Sequence, residues 1–355
     1  SSAAPAPVVA TGDFRELRRT WPLWLQQGVR DTGTLRFVVD FLTRVSVAPN
    51  FFVEHENSFP EFCRITGYPA WLATAINKTW TNVKEDDVDV GALPPIDFAV
   101  DKYGSRPEQF AEVMLERARN KDVQVPLVVF VHGGAWGSGF PGMYRLTALP
   151  FLARGYRVAV VGYRVYPQAD VDGQMADVAR ALRHLAEAHG ATATVVVGHS
   201  SGAHICVLAS LRGMFPANVV GLVGMSGIYD IAQHYAYERI RGVDQISPMK
   251  PSCGTTAENM RNRSPKYVVN GLDKHTLRKS LPPLLLVHGA DDDTALPIES
   301  IGMQEALEVN HFTQSELALL EGVAHADTVL QLSFGGKTQE TILEWFDRLR
   351  TERES

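Results

Sequence analysis

The chain has 355 residues, of which 45% are hydrophobic and 21% charged, and its formal net charge is -6. This composition is typical of a globular protein. The chain lacks the net positive charge that would attract nucleic acid or an anionic membrane. Even the apolar stretch at residues 35–48 is interrupted by charged side chains, so we expect no membrane-spanning helix.

The first residues differ in composition from the rest. Residues 1–12 form a small-residue segment, "SSAAPAPVVATG", and they begin with Ser rather than Met. We interpret them as a flexible leader or linker, either trimmed or left from an organelle-targeted or secreted precursor. The protein is expected to be soluble, and its compartment and oligomeric state stay open.

Residues 13–88 carry apolar side chains at three- and four-residue spacing, as in "TLRFVVDFLTRVSVA". This spacing predicts amphipathic helices. The segment is also rich in aromatic residues, which would suit a helical cap or extension that covers an apolar pocket. We therefore expect it to fold over the mouth of the site.

Residues 89–355 change to short apolar runs separated by helical stretches. The pattern predicts parallel strands with crossover helices on both faces, which is a doubly wound α/β domain. The predicted strands are "IDFAV", "PLVVFVH", "RVAVVGY", "TVVVGHS", "VVGLVGMS", "PLLLVHG" and "SELALLEG".

The second of these strands runs into the loop "HGGAWGSG" at residues 132–139. Paired glycines let backbone N–H groups turn towards a developing oxyanion. Gly134 and Ala135 are the predicted donors, with a third from the backbone of Ser201. Trp136 is a candidate pocket residue, and so is Tyr229 in "SGIYDI". A flexible turn without chemistry is the alternative.

The motif "GHSSG" at residues 198–202 follows another predicted strand and precedes the helical stretch "AHICVLASLRGM". It fits G-x-S-x-G, in which the serine occupies a sharp strand-to-helix turn between small neighbours. The central residue, Ser200, is therefore the predicted nucleophile. The alternative is a tight turn with no catalytic role.

A serine nucleophile needs a base and a carboxylate, in the chain order Ser, acid, His in folds of this class. "HGADDDTALP" supplies three consecutive acids after a strand, and "GVAHAD" supplies a histidine after the next one. His325 is the predicted base. We favour Asp292 as the acid and keep Asp293 as the alternative. His132, His199, His204 and His288 are expected to orient loops by hydrogen bonding.

The three cysteines, Cys63, Cys206 and Cys253, lie far apart and show no metal-binding spacing. We therefore expect no metal site, and the predicted serine chemistry requires no organic cofactor. One disulfide could form in an oxidising compartment, and the sequence leaves this open.

Together, the segments "HGGAW", "GHSSGAHI", "SGIYDI", "HGADDDTALP" and "GVAHAD" resemble the α/β-hydrolase superfamily. The branch is the one with prenylcysteine methylesterases, arylformamidases and hormone-sensitive-lipase-like carboxylesterases. The resemblance covers the chain from Asp89 onwards and implies a triad of Ser200, Asp292 and His325. Two departures are an extra residue in the acid loop and the lack of the membrane-spanning segments of prenylcysteine enzymes.

The predicted protein is thus a serine hydrolase that cleaves a small-molecule carboxylic ester with an apolar acyl or alcohol group. The same machinery would serve an arylformamidase or an acyltransferase. A non-catalytic ligand-binding protein on a hydrolase scaffold is the alternative from another class, and it would be expected to have lost part of the triad.

Overall fold

The computed structural model describes residues 96–116 and 126–354. The leader predicted at 1–12 and the helical cap predicted at 13–88 lie outside the described residues. Among the described residues, no helix combines the length and apolar character needed to cross a bilayer.

Within the described residues, eight strands form one mixed sheet in the order β1-β2-β4-β3-β5-β6-β7-β8. From β4 to β8 all neighbours are parallel, whereas β2 runs antiparallel to β4. The near-continuous apolar runs of the central strands are buried on both faces, as parallel sheets require. The strands are β1 Ile96–Lys102, β2 Phe110–Glu116, β3 Leu127–Val131, β4 Arg157–Val161, β5 Thr194–His199, β6 Val219–Met225, β7 Leu284–Gly289 and β8 Ser315–Leu320.

The strand β2 is not predicted from the sequence, because its two glutamates interrupt the apolar run. One of them, Glu112, is nevertheless buried, and it accepts a hydrogen bond of 2.5 Å from Arg145 Nη2. The ion pair allows a charged residue to occupy this inner position of the sheet.

Helices cover the sheet, as the alternating pattern predicts. They are α1 Leu149–Ala153, α2 Val171–Ala188, α3 Ser201–Leu211, α4 Ile231–Arg241, α5 Met249–Cys253, α6 Ala257–Asn262, α7 Pro265–Asn270, α8 Lys274–Ser280, α9 Ile298–Val309, α10 His325–Phe334 and α11 Lys337–Glu354. A 3₁₀ segment spans Pro141–Ala148. The helices α2 and α3 pack together, and α10 packs on α11.

The topology places the predicted motifs at one edge of the sheet. The strands β3 and β5 are adjacent, with Val131 paired to Gly198, although β4 lies between them in the chain. The loops that follow these two strands, at residues 132–139 and 200–201, therefore meet. The loops after β7 and β8 leave the sheet at the same edge, because the strands are parallel.

Two of the three cysteines fall in the described part of the chain. Cys206 and Cys253 are free and buried, and burial raises the pKa of both thiols. A disulfide between these two is thus not formed, and Cys63 lies outside the described residues.

Candidate active site

Ser200 lies at the tip of a sharp turn between β5 and α3, with φ 53° and ψ -122°. This strained backbone is held by a hydrogen bond of 2.8 Å from the Ser200 N–H to the Met225 carbonyl. The neighbouring glycines are required by close packing. A Cβ on Gly198 would lie 2.7 Å from Ala203 Cα, and a Cβ on Gly202 would lie 2.4 Å from the carbonyl oxygens of both Val131 and His132.

Gly202→Ala is expected to lower the free energy of unfolding by about 1–3 kcal/mol, because the clash is with backbone atoms of β3 that cannot rotate away. Urea denaturation measures the effect. Gly271→Ala is the matched control: its Cβ would lie 3.5 Å from the nearest atom, Val268 O, so it should be tolerated. Equal stability of the two variants would contradict the packing argument.

The structure brings three of the predicted residues into one hydrogen-bonded chain. His325 Nε2 lies 3.0 Å from Ser200 Oγ, and His325 Nδ1 lies 2.7 Å from Asp292 Oδ2. The side chains come from three separate loops after β5, β7 and β8. All three residues are buried, with exposed fractions of 8% for Ser200, 3% for His325 and 2% for Asp292.

Asp292 is held by several donors besides His325. Its Oδ1 accepts the backbone N–H groups of Thr294 at 2.9 Å and Ala295 at 2.8 Å. Burial alone would raise the pKa of Asp292, but His325 and His288 lower it below its ordinary value. The carboxyl group is therefore ionised at neutral pH. The alternative acid, Asp293, is exposed, and no ion pair joins it to a histidine among the described residues.

His288 is a second histidine beside Asp292. Its Nε2 lies 2.8 Å from the Ala295 carbonyl oxygen and 3.3 Å from Asp292 Oδ2, and its Nδ1 lies 2.7 Å from Ser300 Oγ. The sequence-based expectation that His288 orients a loop by hydrogen bonding is confirmed. Its contact with the acid was missed, although the four-residue spacing from Asp292 offered a signal.

The glycine-paired loop lies directly against the nucleophile. A Cβ on Gly133 would lie 2.9 Å from Ser200 Cβ. Gly134 and Ala135 have positive φ values of 133° and 49°, and the Gly134 carbonyl is tied back by the Ser138 N–H at 2.9 Å. No hydrogen bond from the N–H groups of Gly134, Ala135 and Ser201 is found among the described residues, and their role as oxyanion donors stays a prediction.

The two candidate pocket residues, Trp136 and Tyr229, are 1% and 0% exposed. The indole N–H of Trp136 donates to His204 Nδ1 at 3.0 Å, and His204 Nε2 lies 2.7 Å from the Arg263 carbonyl oxygen. Burial lowers the pKa of His204 to about 4, which keeps its imidazole neutral. In this structure both rings support the site from the core, and contact with a substrate stays a prediction.

Helix α4 contacts the loop that carries Asp292. The Tyr237 hydroxyl donates to the Asp293 carbonyl at 2.7 Å, and Arg241 Nη1 lies 3.4 Å from the Thr294 carbonyl oxygen. Because Thr294 donates its own N–H to Asp292, the helix stabilises the position of the carboxylate. These contacts were not predicted from the sequence, because the segment 228–270 contains no recognised motif.

Glu299 holds the start of α4, since its Oε2 accepts the N–H groups of Tyr229 at 2.8 Å and Asp230 at 2.7 Å. Burial raises the pKa of Glu299 to about 8 from 4.5. Between pH 4.5 and about 8, the Glu299 carboxyl group is therefore protonated in the folded protein and ionised in the unfolded protein. The free energy of unfolding should fall as the pH rises through this window, because the unfolded state binds fewer protons.

Glu299→Gln keeps an acceptor oxygen but has no proton to lose. Relative to this variant, the wild type should lose roughly 1.4 kcal/mol of unfolding free energy per pH unit within the window. Urea denaturation at pH 5, 6, 7 and 8 measures the difference. Parallel pH profiles for the two proteins would show that Glu299 does not titrate there.

An eight-stranded mixed sheet with a serine at the turn after β5, an acid after β7 and a histidine after β8 defines an α/β-hydrolase. Residues 113–307 match the family model described as BD-FAE, and the chain belongs to that family. This match covers more than half of the chain.

Known proteins with similar sequences include a probable isoprenylcysteine alpha-carbonyl methylesterase of Arabidopsis thaliana, 26% identical over 67% of this chain and 52% of that protein. Esterase LipC of Mycobacterium tuberculosis is 26% identical over 71% of this chain and 65% of that protein. A kynurenine formamidase of Danio rerio is 27% identical over 46% of this chain and 63% of that protein. The chain thus spans about half to two thirds of the length of these relatives.

Among solved structures, the fold is similar to that of esterase B from Lactobacillus rhamnosis, with a TM-score of 0.61 and 19% identity. That match covers 82% of this chain and 96% of the other. A hormone-sensitive lipase from a metagenome library gives a TM-score of 0.57 with 17% identity, covering 73% of this chain and 87% of the other.

Proposed function

We propose that the protein is a serine hydrolase that cleaves a carboxylic ester through an acyl-enzyme on Ser200. The observation that carries the proposal is the hydrogen-bonded chain from Ser200 Oγ to His325 Nε2 and from His325 Nδ1 to Asp292. A serine hydroxyl becomes a useful nucleophile when a neutral imidazole can take its proton.

In the first half of the reaction, Ser200 Oγ attacks the ester carbonyl carbon while His325 Nε2 accepts the hydroxyl proton. The carbonyl oxygen becomes an oxyanion, which the N–H groups of Gly134, Ala135 and Ser201 stabilise. His325 then gives its proton to the departing alkoxide, and an alcohol leaves. The ionised Asp292 stabilises the imidazolium that exists between these transfers.

In the second half, water attacks the acyl-enzyme and His325 Nε2 accepts a proton from it. Collapse of the second tetrahedral intermediate returns the proton to Ser200 Oγ and releases the carboxylic acid. Every proton is moved by a residue of this chain. The proposed substrate is a small-molecule ester, in agreement with the relatives named as esterases.

A formamide is the second candidate substrate. The observation that favours it is the similarity to kynurenine formamidases, including one of Drosophila melanogaster that is 30% identical over 42% of this chain. Cleavage of an N-formyl amide uses the same steps with an amine as the leaving group. Transfer of the acyl group to an alcohol instead of water would also use the same acyl-enzyme.

A fluorophosphonate probe tests the proposal, because it phosphonylates an activated serine and requires no knowledge of the substrate. We expect stoichiometric labelling, with the modified peptide containing Ser200. Boiled protein serves as the control for non-specific reaction. A folded protein that stays unlabelled would favour a ligand-binding protein on a hydrolase scaffold.

A panel of p-nitrophenyl esters and N-formyl anilides with matched ring substituents would then separate the two substrate classes. We expect the ratio of kcat/KM to favour the esters. A preference for the formamides, after correction for the slower spontaneous reaction of the amides, would replace the ester proposal by the formamidase one.

A further inference from the structure

A histidine and a glutamate on α4 are buried beside the site and take no part in the proposed mechanism. His234 and Glu238 are each 6% exposed. His234 Nε2 lies 3.6 Å from Glu238 Oε1, too far for a good hydrogen bond, and Oε1 accepts the Ser247 hydroxyl at 2.6 Å. The other two atoms, His234 Nδ1 and Glu238 Oε2, are buried without a hydrogen-bond partner among the described residues.

Such groups are uncommon, because a buried polar atom without a partner costs free energy that folding must offset. Here two of them occur one helical turn apart, on side chains of complementary chemistry. A neutral imidazole offers one donor and one acceptor, and a carboxyl group offers acceptors. The pair can therefore offer hydrogen-bonding atoms to a polar group that reaches them.

A ring contact places His234 beside the proposed oxyanion loop. Its ring centroid lies 6.5 Å from that of Trp136, the residue that follows Ala135 in the proposed oxyanion loop. Burial lowers the pKa of His234 to about 3, and the positive charge that His325 can carry contributes in the same direction. The imidazole is thus neutral at neutral pH.

Glu238 is also connected to the proposed oxyanion loop, through the segment that contains Ser247. Ser247, which donates to Glu238, directly precedes Pro248, and a Cβ on Gly137 would lie 2.3 Å from Pro248 Cγ. The segment that holds Glu238 therefore packs against the turn that follows Ala135. Burial raises the pKa of Glu238 to about 7.

We propose that His234 and Glu238 form a polar subsite that binds a hydrogen-bond donor on the substrate, an O–H or N–H group carried at a distance from the scissile ester. The proposal rests on the proposed ester hydrolysis and adds a specificity-determining pair to it. A site with buried polar atoms rejects an analogue that lacks the matching donor, because those atoms then stay unpaired.

The test compares ester pairs that differ only in a remote donor, so that carbonyl reactivity is unchanged. On the acyl side these are ethyl hexanoate, ethyl 6-hydroxyhexanoate and ethyl 6-acetamidohexanoate; on the alcohol side they are butyl acetate and 4-hydroxybutyl acetate. For the wild type we expect kcat/KM to rise at least tenfold with a donor on one of the two sides. The hydroxyl and acetamido esters separate O–H from N–H recognition.

The same ratio is then measured in Glu238→Leu and His234→Phe, with Glu238→Met, which also lacks an acceptor oxygen, as a second variant where the first does not fold. We expect the preference to fall at least fivefold in each, whereas Glu258→Gln, at an exposed glutamate on α6, keeps it. Because the readout is a ratio between two substrates, a general loss of activity cancels.

A wild type that hydrolyses the plain esters without preferring a donor would overturn the subsite and leave the proposed function standing. A preference retained by any folded variant of the pair would also overturn it. A protein that cleaves none of the esters and takes up no fluorophosphonate would remove both proposals together.

Discussion

Replacing Ser200 by alanine is expected to lower kcat/KM for ester hydrolysis by at least about 10⁴-fold while the fold is retained. The hydroxyl that would form the acyl-enzyme is lost, whereas alanine fits the same turn. The substitution removes the hydrogen bond of 3.0 Å between Ser200 Oγ and His325 Nε2. Initial rates and thermal unfolding of the same preparation measure the two effects.

Ser201→Ala is the matched control for this variant. Ser201 is adjacent, equally small and 0% exposed, and its proposed contribution is a backbone N–H that alanine keeps. We expect its kcat/KM to stay within about tenfold of the wild type. If Ser201→Ala were as inactive as Ser200→Ala, or if Ser200→Ala kept its activity, the assignment of the nucleophile would be wrong.

Asp292→Asn is expected to lower kcat by about 10⁴-fold, because an amide can neither fix the tautomer of His325 nor stabilise its positive charge. The carboxylate oxygen lies 2.7 Å from His325 Nδ1, and the amide retains this shape without the charge. KM should change little, since the acid contacts His325 rather than substrate. Steady-state kinetics with one p-nitrophenyl ester separates the two parameters.

Asp293→Asn removes a negative charge one residue further along and serves as the control. Asp293 is exposed, and its carbonyl, which the substitution keeps, accepts the bond from Tyr237. We expect at most a twofold change in kcat. The reverse order of the two effects would mean that the acid loop rearranges in solution to present Asp293 to His325.

Periodicity was sufficient to predict the doubly wound α/β sheet, and the resemblance of the motifs to the α/β-hydrolase superfamily implied the rest of the fold. The strands with long β-branched runs could be recognised because burial on both faces of a parallel sheet demands such sequences. The strand β2 could not, since its inner glutamate depends on Arg145, which lies 33 residues further along the chain. A local pattern carries no information about a partner at that distance.

For the candidate site, motifs and chain order identified Ser200 and His325 but left the choice between Asp292 and Asp293 open. Three consecutive aspartates look alike in sequence, and only the turn geometry that directs Thr294 and Ala295 N–H groups at Asp292 distinguishes them. The pair His234 and Glu238 was missed for a similar reason. An i, i+4 histidine and glutamate on an exposed helix face would have the same spacing.

The contacts of α4 bear on how this protein could be engineered. One face of the helix braces the loop that holds Asp292 through Tyr237, and the same helix carries His234 and Glu238. A library that randomises α4 to alter selectivity would therefore also disturb the acid, so selectivity and turnover should change together. Mutagenesis that varies positions 234 and 238 while fixing position 237 would let a new preference be selected without that penalty.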